Sequence, residues 1–265
     1  MDEKSRLTQK SMAEIEDKRP RRATILAAGF GMRMVPINTE TPKGLLEVNG
    51  EPLIERAIRQ LQEVGIREIY VVVGFLKEQF AGLEDEYPGL NLIDNPYFDS
   101  CNNIASLYVA RNYIENAIIL DGDQIIYNPA ILTPEFERSG YNSVWTDEET
   151  DEWLQTVENG VVTACSRTGG KGGWQLYSIS RWTAEDGQKL RHHLEVEFEQ
   201  KKNRQIYWDD VAMFCYPEEY HWVSVRCRKG TSSKWMICGS WRHWTRPTND
   251  SWRWHNEYKS QRRAQ

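Results

Sequence analysis

Hydrophobic and polar positions follow two alternating periods over roughly the first 130 residues. The runs Ala23 to Ala28 and Ile69 to Val73 are apolar at nearly every position, which is typical of strands buried on both faces. Between them, apolar residues from Leu53 to Val64 recur at the spacing of one helical face, and Gly65 is expected to end that helix. Buried strands that alternate with helices predict a parallel sheet with helices on both faces.

The same pattern predicts further elements along the chain. They are a helix near Lys77 to Glu86, a strand at Leu90 to Ile93, a helix at Ile104 to Tyr113 and a strand at Ala117 to Leu120. After residue 130 we predict shorter strands at Tyr141 to Thr146, Val161 to Ser166 and Trp174 to Ile179, then a polar helix at Ala184 to Lys202. The predicted fold class is therefore α/β, with a mixed but mostly parallel sheet. The second half is expected to extend this sheet and to supply the substrate pocket.

Charge and composition narrow the class of protein. The 265 residues carry a formal net charge of −6, which argues against a general nucleic-acid or membrane-surface binder. No apolar run approaches the roughly 20 residues that a membrane helix needs, and residues 1–22 lack the apolar core of a signal peptide. We expect a cytoplasmic protein with a polar extension over residues 1–22. The five cysteines form no C-x-x-C pair, which favours reduced thiols.

Candidate chemistry lies directly after two of the predicted strands. Gly29 and Gly31 follow the first strand, with Arg33 and Lys43 further along, and Asp121-Gly122-Asp123 follows the strand at Ala117 to Leu120. Glycines bring the backbone close to phosphate oxygens, and the two cations neutralise them. The spacing matches neither the dinucleotide-binding motif G-x-G-x-x-G nor the P-loop. Ligands of such sheets bind at the carboxyl ends of the strands, where both segments lie.

The string LAAGFGMRMVP followed by PKGL resembles the signature of nucleotidyltransferases that activate sugar phosphates and alcohol phosphates. The resemblance continues through IYVVVGFLKEQF, NPYFDSCNNIASLYVAR and IILDGDQIIYNP. Within that superfamily, residues 23–220 are most similar to the bacterial CTP:phosphocholine cytidylyltransferases. The resemblance implies a Rossmann-like nucleotidyltransferase fold. It also implies transfer of CMP from CTP to phosphocholine, with Mg²⁺, to give CDP-choline and pyrophosphate.

The resemblance also implies roles for individual residues. The implied catalytic set is Arg33, Lys43, Asp123 and Asp209, with Mg²⁺ held by Asp123 and Asp209. The implied nucleotide-binding set is Leu26, Ala27, Ala28, Gly29, Gly31, Arg33, Lys43, Asn102, Asn103, Ser106 and Asp121. No general base is required, because a phosphomonoester with a second pKa near ~6 is already mostly dianionic at neutral pH.

The acceptor is the least determined part of this hypothesis. A choline headgroup is a fixed cation, which aromatic faces and a nearby carboxylate bind best. The resemblance places Trp153, Tyr207 and Trp208 at that end of the pocket, and Trp153 lies among acidic residues. Phosphoethanolamine and sugar phosphates stay open as acceptors. The alternative functions are a sugar-1-phosphate nucleotidyltransferase and an inactive remnant that binds nucleotide.

Composition changes abruptly at His221. Residues 221–265 contain six of the eleven tryptophans and carry a net charge of +8. One interpretation is a basic, aromatic surface for an anionic partner. Another is translation out of frame, because a one-base shift with permitted codons can encode a strand, a turn and an amphipathic helix like the usual end of this family. On that second interpretation we expect the segment to be poorly ordered, and the folded domain to span residues 23–220.

Overall fold

The computed structural model describes residues 22–31, 40–228 and 232–234. Most of the polar extension, Arg33 and most of the basic segment after residue 228 lie outside the described residues, so the predictions made for them stay predictions. Among the described residues, no helix is both long and apolar enough to cross a membrane.

The first half of the chain forms the parallel part of the sheet. Its strands are β1 (Arg22–Leu26), β2 (Glu68–Val73), β3 (Leu90–Asp94) and β4 (Ala117–Asp121). β1 lies between β2 and β4, with Ile25 beside Val71 on one side and Leu120 on the other. Each of these strands was predicted from the sequence.

Helices cover both faces of this parallel part. They are α1 (Leu53–Glu63), α2 (Gly82–Glu86) and α3 (Ile104–Val109). Ile118 and Leu120 pack in one hydrophobic cluster with α1, whereas Ile119 between them packs in a second cluster with α3. Successive strand residues point to opposite faces, so nearly continuous apolar strands are required here. The helix predicted from Lys77 is instead a 3₁₀ turn (Lys77–Phe80) before α2.

The second half extends the sheet with short strands. They are β5 (Gln124–Ile126), β6 (Gly140–Thr146), β7 (Leu154–Glu158), β8 (Val161–Ser166), β9 (Gly173–Trp182), β10 (Val223–Cys227) and β11 (Ser232–Lys234). Within the described ranges, nine strands form one sheet in the order β3-β2-β1-β4-β9-β6-β10-β8-β7, and β11 pairs with β5 separately. The predicted mixed sheet with helices on both faces is confirmed. Antiparallel pairs are more extensive than predicted, because β9 runs against both β4 and β6.

The folded unit continues past the predicted boundary at residue 220. β10 lies between β6 and β8 inside the sheet, and Trp222 before it is buried. The prediction was misled because the change in composition at His221 precedes the last strand of the sheet. The domain therefore extends at least through Arg228.

Two helical segments close the face that carries α3. α4 (Ala184–Glu195) continues as a π-helical turn (Val196–Gln200), close to the predicted helix. α5 (Trp208–Asp210) continues as a second π-helical turn (Val211–Cys215). Both pack on the cluster that contains Tyr141 and Trp182. This packing fixes the segment that carries Asp209 next to the sheet.

Candidate active site

A cleft opens at the carboxyl ends of β1 and β4. The backbone N–H of Gly122 donates to the carbonyl of Leu26 over 2.9 Å, which holds the two strand ends together. The residues that line the cleft are Leu26, Ala27, Ala28, Gly29, Gly31, Lys43, Gly44, Asn95, Phe98, Cys101, Asn102, Asn103, Ser106, Asp121, Gly122 and Asp123. The structure thus brings together the nucleotide-binding set implied by the sequence, apart from Arg33, which lies outside the described residues.

Lys43 and Asp123 form an ion pair inside the cleft. Lys43 Nζ donates to Asp123 Oδ2 over 3.0 Å, and each side chain is 21% exposed. Lys43 begins a single 3₁₀ turn (Lys43–Leu45), and Gly44 in that turn lies against Gly122. The absence of a side chain at Gly44 lets this turn approach the backbone at the end of β4. A cation and an anion therefore face the same small volume.

Gly31 has a left-handed backbone conformation and lies against the side chain of Lys43. Its φ of +69° is in the left-handed region, which L side chains rarely adopt. A Cβ atom at Gly31 would overlap Cε of Lys43 and would lie 2.8 Å from its Cδ. Glycine at this position therefore leaves the space that the lysine side chain occupies.

The opposite wall is the start of α3. Asn102 accepts a hydrogen bond from the backbone N–H of Asn103 over 2.7 Å and donates to the carbonyl of Gln205 over 3.1 Å. Asn103 Oδ1 accepts from the backbone N–H of Trp208 over 2.9 Å. Ser106 is buried and accepts from Asn95 over 3.2 Å. The paired asparagines thus join the cleft to the segment that carries α5, while their contact with a base stays a prediction.

Asn95, Phe98 and Cys101 line the cleft and were missed by the sequence analysis. They belong to the loop between β3 and α3, which no phosphate motif marks. The sequence offered one signal for Asn95, which directly follows β3. In the structure its backbone N–H donates to the carbonyl of Val73, at the end of β2, over 2.8 Å. The carboxyl end of a third parallel strand therefore contributes to the same cleft.

Asp209 lies in a more buried setting than Asp123. Its side chain is close to Tyr141 and Cys165, and only 8% of the residue is exposed. Burial, and then the negative charge of Asp209, raise the pKa of the Tyr141 hydroxyl well above its usual value. The same two causes raise the pKa of the Cys165 thiol to about 12. Among the described residues, the cleft lining does not include Asp209.

The donor atoms of the cleft fit a magnesium ion. Mg²⁺ prefers one or two carboxylates and completes its shell with phosphate oxygens and water. Asp121 and Asp123 both line the cleft, so the carboxylates that such an ion needs are present. In the part of the chain that the structure describes, no three His, Cys, Asp or Glu side chains group closely enough to form an all-protein metal cage. Asp123 is thus a suitable ligand, and the contribution of Asp209 stays a prediction.

Three aromatic rings cluster beside α5. The ring of Trp153 lies edge-on to that of Tyr207, with centroids 6.0 Å apart, and edge-on to that of Phe214 at 5.4 Å. Asp210 is next to them and accepts from the backbone N–H of Tyr207 over 2.8 Å. We call Trp153, Tyr207, Phe214 and Asp210 the aromatic cluster. Phe214 was not predicted as a site residue.

Trp208 is not part of the aromatic cluster. Its ring is buried between those of Tyr141 and Trp182, at 6.0 Å and 6.1 Å, and the residue is 1% exposed. Tyr207, its neighbour, is 46% exposed. The expectation that both rings of the YWDD segment face the acceptor is therefore corrected for Trp208, whose ring packs in the core.

Comparisons with known proteins agree with this geometry. The profile of the MobA-like NTP transferase domain matches residues 23–186. The chain is 35% identical over 192 residues to a 2-aminoethylphosphonate cytidylyltransferase of Lancefieldella rimae, an alignment that covers 72% of this chain and 78% of that protein. It is 33% identical over 191 residues to a choline-phosphate cytidylyltransferase of Streptococcus pneumoniae, covering 72% of this chain and 82% of that protein.

A solved structure extends the similarity over most of the fold. The structure of the CTP:phosphocholine cytidylyltransferase from Streptococcus pneumoniae superposes with a TM-score of 0.77 and 28% identity. The superposition covers 90% of this chain and 99% of the other. The similarity therefore includes the second half of the sheet as well as the cleft.

Proposed function

The chain belongs to the MobA-like NTP transferase family. We propose that it transfers CMP from CTP to phosphocholine. An oxygen of the acceptor phosphate attacks the α-phosphorus of CTP, and the bond from that phosphorus to the bridging oxygen of the β-phosphate breaks. The products are CDP-choline and pyrophosphate. No separate base is needed, because the attacking phosphate is already mostly dianionic at neutral pH.

The observation that carries the choice of acceptor is the aromatic cluster. A trimethylammonium group cannot donate an N–H hydrogen bond, so it is bound through ring faces and a neighbouring negative charge. Trp153, Tyr207 and Phe214 supply rings in nearly perpendicular pairs, and Asp210 supplies the charge. A sugar hydroxyl would instead need several polar side chains at this place.

Two side chains of the cleft account for the phosphate chemistry. Lys43 and Asp123, now paired at 3.0 Å, would separate when a triphosphate binds, so that Lys43 neutralises phosphate oxygens. Asp123 would then hold Mg²⁺, which neutralises the charge that develops on the departing pyrophosphate. Gly29 and Gly31 leave room for the phosphates to approach the backbone.

2-Aminoethylphosphonate is the second candidate acceptor. The observation that favours it is the similarity to the Lancefieldella rimae protein over 78% of that protein's length. Its primary ammonium has three N–H donors, which a carboxylate such as Asp210 would accept. The two acceptors make different demands on the aromatic cluster, since only the quaternary group depends on ring faces alone.

Pyrophosphate release with Mg²⁺ tests the proposal. CTP, UTP, GTP and dTTP are each paired with phosphocholine, phosphoethanolamine, 2-aminoethylphosphonate and glucose 1-phosphate. We expect release with CTP and phosphocholine at a kcat/KM above that of every other pair. Preference for 2-aminoethylphosphonate would identify that compound, and not phosphocholine, as the acceptor. Preference for glucose 1-phosphate would refute the role of the aromatic cluster. No release from folded protein would support the inactive nucleotide-binding remnant.

A further inference from the structure

The positively charged side chain of Arg167 contacts two members of the aromatic cluster, Phe214 and Asp210. Its guanidinium carbon lies 3.8 Å from the centroid of the Phe214 ring, and its Nη2 lies 2.7 Å from Asp210 Oδ1. Arg167 follows β8 directly, at the start of the loop to β9. One ring face and one carboxylate of the cluster are thus engaged by a cation from the chain itself.

We propose that Arg167 is an internal competitor of the acceptor's cationic head, and that its displacement from Phe214 and Asp210 sets acceptor affinity. This inference rests on the proposed function. A ring face and a carboxylate are the two kinds of group that a bound trimethylammonium needs. Because Phe214 and Asp210 contact the guanidinium directly, the arginine and an acceptor cation cannot both use them.

The burial of the two partners shows which one moves. The side chain of Arg167 is 49% exposed, whereas that of Asp210 is 6% exposed. Asp210 also caps the start of α5 through the backbone N–H of Tyr207. Asp210 is therefore held by the fold, and the exposed arginine can swing into solvent at small cost. When it does, the carboxylate is left to an incoming cation.

This arrangement also makes the site selective. With Arg167 in place, the buried charge of Asp210 is compensated when no acceptor is bound, so the empty cluster does not require a counter-ion from solution. An acceptor without a positive charge cannot replace the ion pair that Asp210 makes with Arg167. Arg167 therefore acts against neutral acceptors, such as sugar phosphates, as well as lowering affinity for cationic ones.

The test uses choline, which carries the cation without the phosphate. Choline is titrated into wild-type protein, Arg167→Gln and Arg167→Lys by isothermal titration calorimetry. Arg111→Gln is the matched control, since Arg111 also lies over a ring (Tyr108, 4.2 Å) and pairs with a carboxylate (Glu195, 3.1 Å), away from the cleft. We expect Arg167→Gln to lower the choline Kd about fivefold, as for one lost cation–π and ion-pair competitor. The choline Kd of Arg167→Lys should lie between those of Arg167→Gln and wild type, and that of Arg111→Gln should equal the wild-type value.

Kinetics give a second readout. Arg167→Gln should lower the KM for phosphocholine in parallel with the choline Kd, with the KM for CTP unchanged. An unchanged or weaker choline affinity in Arg167→Gln overturns the inference. A raised KM for phosphocholine with unchanged choline binding also overturns it, because Arg167 would then bind the acceptor phosphate.

Failure of the inference and failure of the proposed function give different results. If wild-type protein makes CDP-choline but Arg167→Gln binds choline no better, the function stands and the competitor is refuted. If Arg167→Gln binds choline more tightly but only 2-aminoethylphosphonate supports turnover, the competitor stands and phosphocholine is the wrong acceptor. No choline binding by any of the variants refutes the competitor directly.

Discussion

Replacement of Gly31 by alanine tests the geometry of the phosphate cleft without removing a charged group. The new methyl group would overlap Cε of Lys43 and would require a left-handed alanine at φ +69°. Lys43 must then turn away from Asp123, which lies 3.0 Å from its Nζ. The perturbation therefore acts on the ion pair through a glycine that belongs to neither partner.

The magnitude follows from two separate contributions. A left-handed L residue costs about 1–2 kcal/mol in the free energy of unfolding. Loss of the partly exposed ion pair adds about 1 kcal/mol at most, given that each side chain is 21% exposed. We expect a total loss of about 1–3 kcal/mol in Gly31→Ala. In activity, loss of one positioned charge lowers kcat by about 100-fold or more.

The assays are urea unfolding and pyrophosphate release with CTP. Gly29→Ala is the control for stability, because no atom lies within 4 Å of a Cβ at Gly29 and its φ is outside the left-handed region; it should change the unfolding free energy by no more than about 0.5 kcal/mol. In a Lys43→Ala background, Gly31→Ala should cost only its backbone contribution. An equal cost with and without Lys43, or no cost at all, would refute the steric argument.

Three further predictions concern the metal ligand, the acceptor and the pH dependence of stability. Asp123→Asn should abolish pyrophosphate release and leave the circular dichroism spectrum unchanged; near-normal turnover would remove Asp123 from the mechanism. Trp153→Ala should raise the KM for phosphocholine about 5- to 30-fold by loss of a cation–π contact, with the KM for CTP unchanged, while Trp174→Ala in the Trp145–Trp174 pair should not. Burial lowers the pKa of His193, so the unfolded state binds more protons below pH 6.5 and the unfolding free energy should fall on acidification; in His193→Gln, urea titrations at pH 7.5 and 5.5 should show a smaller fall.

Periodicity was sufficient to predict the parallel half of the fold. β1, β2 and β4 are largely buried on both faces, so each appears in the sequence as an apolar run, whereas β3 at the edge of the sheet is only partly buried. β7 was missed because its five residues include a glutamine, a threonine and a glutamate on a strand that is only partly buried. β10 was missed because a local change in composition concealed its alternation.

The convergence of the predicted residues on one cleft could be foreseen because they follow strand ends, but the aromatic cluster was only partly predictable. Arg167 and Phe214 meet through tertiary packing of two segments 47 positions apart in the sequence, and no local pattern relates them. The adjacent Tyr207 and Trp208 show a further limit. Adjacent residues at a helix start point in different directions, so one ring lies at the surface and the other in the core. The sequence alone does not show which of the two rings is buried.

Transfer of CMP to a quaternary ammonium acceptor can be measured by competition in one tube. The reaction contains CTP, Mg²⁺ and equal concentrations of phosphocholine and 2-aminoethylphosphonate, and the products are identified by mass spectrometry at low conversion. We predict CDP-choline as the main product, since the rings of Trp153, Tyr207 and Phe214 favour a group without N–H donors. A product dominated by the CMP ester of 2-aminoethylphosphonate would show that phosphocholine is not the preferred acceptor.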